Sequence, residues 1–185
     1  MRRFLDTLYR TSLWLAALCL AAIALMVALQ LLGRIADGVL RLVGVGAYGF
    51  VILSLAEIAG YLLATASFLA LAATLKAGGH IRVTILLGGL EERHRRWLEV
   101  AVLIVSAAVS GFITWNIGAF AYASWRFNEV SIGMVQVPLA LPQAAMALGA
   151  LVLTISLLDE LVVVLRTGRP TFRATEDAIT LGKDA

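Results

Sequence analysis

Few residues in this chain could do chemistry, and the most pointed of them lies inside an apolar stretch. Glu57 is the only charge between Leu42 and Leu75. Ser54, Glu57, Tyr61 and Thr65 follow at three- and four-residue intervals, so they share a narrow stripe on a helix. A carboxylate flanked by hydroxyls could hold a proton or a cation. It could equally make a fixed polar contact, to another helix or to Arg34, Arg41 or Arg126. A carboxylate within a membrane span costs roughly 2.5–3.5 kcal/mol on insertion scales, so Glu57 must face protein or water. No second charge at its depth accompanies it, which favours the structural role. The two histidines, His80 and His94, do not complete a metal site. Neither stands inside an apolar run, which argues against bis-histidine haem ligation. The single cysteine, Cys19, cannot form an internal disulfide and reads as a small core residue. There is no phosphate-binding glycine loop and no nucleophile beside a base. The residues therefore point to no enzyme and no cofactor.

The elements that position these residues are long apolar runs. The chain has 185 residues, of which 61% are hydrophobic and 15% charged. Crossing a hydrocarbon core of about 30 Å takes about 20 apolar residues in a helix. Four stretches reach that length, and none shows the period-two alternation of a barrel strand. The fold class expected is an all-α integral membrane protein with four transmembrane helices and short interfacial amphipathic segments. The spans are placed at 12–32, 50–75, 97–121 and 139–165. They form one membrane domain, 1–168, with a basic loop at 76–96 and a tail at 169–185. Cationic residues cluster in alternate segments. Arg2, Arg3 and Arg10 precede the first span, and Lys76, Arg82, Arg93, Arg95 and Arg96 fill the central loop. Arg166, Arg169, Arg173 and Lys183 follow the fourth span, whereas the other side holds only Arg34, Arg41 and Arg126. The positive-inside rule puts both termini and the central loop in the cytoplasm. The net charge of +3 is thus a topological signal and not a nucleic-acid footprint.

Local patterns add detail. Tyr9, Trp14 and Trp97 fall where aromatic rings favour the cytoplasmic headgroup level. Arg34–Gly46 reads as a short helix lying on the outer surface, or as a polar turn around Gly38, Gly44 and Gly46. Ala56, Gly60 and Ala64 form a small-residue ridge on the second span, and Ala107 with Gly111 form another on the third; such faces let helices approach closely. Gln30, Glu57, Asn116 and Gln143 lie at similar depth and could form one polar layer that fixes helix register. Pro138 and Pro142 suit the opening of the fourth span. Asp159 and Glu160 reach the inner surface, where ion pairs with Arg93, Arg95 or Arg96 are available.

Several of these features together resemble a known family. Glu57, the run Ala73-Thr-Leu-Lys76-Ala-Gly-Gly79-His80-Ile-Arg82-Val83, the basic lead Arg93–Trp97, Glu129-Val-Ser131 and Pro138, Pro142 and Gly149 look like the small, DctQ-like permease subunit of TRAP transporters. These are tripartite ATP-independent periplasmic carriers of bacteria. Lys76, Gly79, His80 and Arg82 carry the family motif of the cytoplasmic loop, although Thr84 stands where an aspartate is common. The resemblance implies an inner-membrane scaffold for a large elevator-type permease subunit. Uptake of an organic acid or similar solute would then be coupled to sodium, which binds in the large subunit. A periplasmic substrate-binding protein would deliver the solute. Ala56, Glu57, Gly60, Ala64, Ala107 and Gly111 are the expected partner-packing positions. Arg34, Asp37, Arg126 and Glu129 are the outer charges available to the binding protein. The alternatives are a self-assembling four-helix channel or exporter with Glu57 lining a pore, and a membrane redox or quinone enzyme. The lack of spanning histidines and paired cysteines counts against the enzyme.

Overall fold

Apolar runs in lipid become helices because every backbone N–H and C=O must find its partner within the segment. The computed structural model describes residues 2–44, 46, 48–77 and 92–168. It contains four helices: α1 (Arg2–Leu42), α2 (Leu55–Lys76), α3 (Glu92–Arg126) and α4 (Ala140–Thr167). All four are long and apolar enough to cross a membrane. Among the described residues the one β feature is an isolated bridge between Val130 and Pro138. The protein is thus an all-α, multi-pass membrane protein.

The helices stand in a row and do not close into a bundle. α1 packs on α2, α2 on α4 and α4 on α3, while α1 touches α4 only marginally. Spatial order is therefore α1–α2–α4–α3. α4 has neighbours on both sides and is the most buried helix, whereas α1 is the least buried. Small residues set the closest approach. A Cβ on Gly149 of α4 would lie 2.5 Å from the Phe68 carbonyl carbon, so only glycine lets α4 lie against the α2 backbone. On its other side α4 meets Val100, Leu103 and Ala107 of α3 through Leu157 and Val164. α1 reaches α2 through Ala16, which packs with Ala66 and Leu69. Hydroxyls bind α3 to α4: the Ser110 and Thr154 oxygens lie 2.8 Å apart, and Thr114 Oγ1 lies 3.3 Å from Thr154 Oγ1.

Several boundaries differ from those expected. α1 runs unbroken for 41 residues, so Arg34–Leu42 is neither a separate surface helix nor a turn. Gly38 is carried inside the helix, and the chain leaves helical geometry at Gly44, where φ is 78°. It then doubles back. Phe50 packs against Gly33 so closely that a Cβ there would sit 2.6 Å from the ring. Asp37 takes the backbone N–H groups of Tyr48 and Gly49 at 2.8 and 3.0 Å. α2 starts at Leu55 and not near residue 50, because Ser54 adopts a left-handed φ of 55°. α3 extends beyond 97–121 at both ends, and the basic lead Arg93–Arg96 is its first turn and a half. α4 ends at Gly168, whose N–H caps the Val164 carbonyl at 2.9 Å. Most of the 76–96 loop, including Gly79, His80 and Arg82, lies outside the described residues, as does the tail at 169–185.

Candidate functional site

Polar side chains gather at the two ends of the row. At the end formed by the α1–α2 and α3–α4 connections, Glu57 lies in the first turn of α2, where the helix dipole favours an anion. One carboxylate oxygen accepts the Tyr61 hydroxyl at 2.9 Å. The other lies beneath Gly133, where a Cβ would overlap it. Ser54 accepts the Val135 N–H at 3.0 Å. The α3–α4 loop thus sits as a lid on the start of α2. Ser131 holds the loop in shape: its N–H reaches the Val137 carbonyl at 2.9 Å, its hydroxyl reaches the Val135 carbonyl at 3.1 Å, and the same oxygen accepts the Val137 N–H at 3.1 Å. The loop tip, Ile132 and Met134, stands fully exposed.

This arrangement corrects the expected depth of Glu57. It stands in the first turn of α2 and not in the interior of the helix, and it forms no ion pair with Arg34, Arg41 or Arg126 among the described residues. Nor does it belong to a polar layer. Asn116 donates to the Phe112 carbonyl of its own helix at 2.8 Å, and no hydrogen bond joins it to Gln30, Gln143 or Glu57. Two of the expected outer docking charges are engaged within the chain: Asp37 holds the α1–α2 connection, and Glu129 accepts the Ser124 hydroxyl at 2.8 Å. Arg34 and Arg126 are exposed, the latter 6.0 Å from the Phe127 ring.

At the opposite end lies an ionic cluster that joins three helices. The Lys76 ammonium meets Asp159 at 2.6 Å and Glu160 at 3.0 Å, and it stands 5.4 Å from the centre of the Tyr9 ring. Glu160 is fully buried. Next to it, Ser12 of α1 donates to the Leu69 carbonyl of α2 at 2.6 Å. Lys76 is thus an ion-pair partner of both Asp159 and Glu160. Arg95 instead pairs along its own helix with Glu99 at 3.7 Å, and Arg96 donates to the Leu165 carbonyl at 3.0 Å. Tyr9 is only 5% exposed, whereas Trp14 and Trp97 are exposed. Buried Glu99 escaped the sequence reading. Its signal was its place between Leu98 and Val100, with Arg95 one helical turn earlier.

The small-residue faces fall on different sides. Ala107 is buried in the α3–α4 contact, and a Cβ on Gly111 would lie 3.8 Å from Thr154, so this face serves the chain's own fourth helix. Ala56 and Gly60 are exposed, Ala64 is half-buried, and a Cβ on Gly60 would meet nothing.

A row of four helices long and apolar enough to span a membrane, braced by ion pairs at one end and a loop lid at the other, is a multi-pass membrane protein. Residues 42–167 match the family described as the DctQ component of tripartite ATP-independent periplasmic transporters. The chain belongs to this family and is a small TRAP transporter subunit; most of α1 precedes the matched region. No curated protein and no solved structure gives a significant match.

Proposed function

We propose that this chain is a scaffold for the large permease subunit of a bacterial inner-membrane TRAP transporter, with both termini in the cytoplasm. The observation that carries the reading is the open row. A chain that leaves most of its span surface uncovered, and presents the small-residue ridge Ala56–Gly60–Ala64 outward on α2, has the face that a second set of helices needs. The row widens the large subunit's anchorage in the bilayer, while that subunit moves an organic acid or similar solute with sodium. Arg34 and Arg126, at the end facing the periplasm, are the charges left for the substrate-binding protein. Glu57 contributes by holding the α3–α4 loop in place.

The test is replacement of Gly60 by leucine in a tagged chain expressed with its neighbouring genes. Wild type is expected to bring down a many-span membrane protein in stoichiometric amount. G60L should lose it, while keeping the thermal midpoint of the isolated chain, because the added side chain meets nothing within the subunit. A homogeneous self-oligomer without a large partner would instead establish the channel alternative.

A further inference from the structure

α2 and α3 both pack on α4 and touch each other at most marginally, and this leaves a lateral groove. Its volume is about 480 Å³, and its walls are mostly apolar: Phe68 and Leu71 from α2, Val102, Val109 and Ile113 from α3, with Leu153 on the α4 floor and Ser106 and Ser110 as the polar exceptions. On α3 the groove spans Val102 to Ile113, about 16 Å at 1.5 Å per residue. That is close to half of a hydrocarbon core of about 30 Å, the depth of one leaflet. The stripe does not stop at Val102. Ile113, Val109, Ser106 and Val102 are followed at the same three- and four-residue spacing by Glu99 and then Arg95. Arg95 thus stands in line with the groove, about 10 Å beyond its last apolar wall residue, on the order of the headgroup layer. Among the described residues its ion pair runs from Nε to Glu99 at 3.7 Å, too long for a hydrogen bond, and leaves the terminal nitrogens of a side chain that is a quarter exposed.

We propose that this groove seats one acyl chain of a phospholipid from the leaflet at the Arg95 end, with the lipid phosphate held by Arg95. Shape and charge agree on the occupant. The slot is apolar for the depth of one leaflet and then meets a forked cation, the geometry that binds phosphate oxygens pairwise. A helix from another protein would fill the slot without using the arginine at its foot.

The experiment is native mass spectrometry of the full chain, purified in mild detergent with any protein that accompanies it. Dioleoylphosphatidylglycerol and dioleoylglycerol, which lacks the phosphate, are titrated in parallel. Wild type should hold one phosphatidylglycerol per chain and prefer it about tenfold, as a charge-assisted contact predicts. Arg95→Gln should bring phosphatidylglycerol down to the level of dioleoylglycerol. Val109→Trp should remove both, and Val109 is exposed, so the fold tolerates the larger ring. Should V109W lower the yield of folded chain, Val109→Cys alkylated after folding, in a Cys19→Ala background, blocks the slot instead. An unchanged preference in R95Q, or full lipid retention in the blocked chain, would overturn the proposal. So would a V109C crosslink to a partner membrane protein with no lipid bound, since that would show the slot to be a helix seat.

Discussion

Lys76 shows how one side chain can decide whether neighbouring helices hold together. Its ammonium serves Asp159 and Glu160 of α4, and Glu160 has no water of its own. Removing one partner of a buried ion pair costs about 3–5 kcal/mol. Lys76→Met should therefore lower the thermal midpoint of the purified chain sharply. Adding Asp159→Asn and Glu160→Gln should recover most of the loss. If K76M melts like wild type, the cluster contributes no stability. The sequence offered both carboxylates and the lysine, yet did not show that Lys76 stands beside Asp159. The reason is geometric. Spacing along a chain says which residues share a helix face, but only helix order in space says that the end of α2, and not the start of α3, lies against Asp159.

At the scale of elements, the four helices were legible from apolar length, because lipid leaves the backbone no other solution. Their ends were not. α1 runs on to Leu42 through charged and glycine positions that read as a surface segment, since helix continuation there is secured by tertiary contacts: Phe50 on Gly33 and Asp37 on the returning backbone. Asp37→Ala would leave two N–H groups without their acceptor. The expected result is faster amide exchange and faster proteolysis across residues 43–54, with α2–α4 protection unchanged. Unaltered exchange in the linker would mean that Phe50 alone fixes the return. The same reasoning explains Glu57. Its place in the helix depends on where α2 begins, and Ser54 sets that by a backbone conformation that no periodicity reveals.

For the whole molecule, the loops that join α1 to α2 and α3 to α4 meet at one end, where Val135 bonds to Ser54. Charge counting predicts that this end faces the periplasm. A membrane-impermeant maleimide should label Ile132→Cys, at the exposed tip of the lid, in intact cells of a Cys19→Ala strain. Thr167→Cys, at the other end, should label only after permeabilisation. The opposite pattern would invert the topology. The family motif was readable as sequence, and the match over residues 42–167 agrees with it. The row was not readable, because hydropathy reports only that a helix lies in lipid and not which helices stand side by side.

Spatial order α1–α2–α4–α3 has a consequence for biosynthesis. As the chain emerges, α1 and α2 can pair at once, but α3 enters the bilayer with no finished neighbour to receive it. Its proper contact, α4, is the last of the four to be synthesised. Until then Lys76 too lacks both of its carboxylates, which lie on that same helix. Assembly of this subunit is therefore completed in a single late event, when α4 slides between α2 and α3 and joins them.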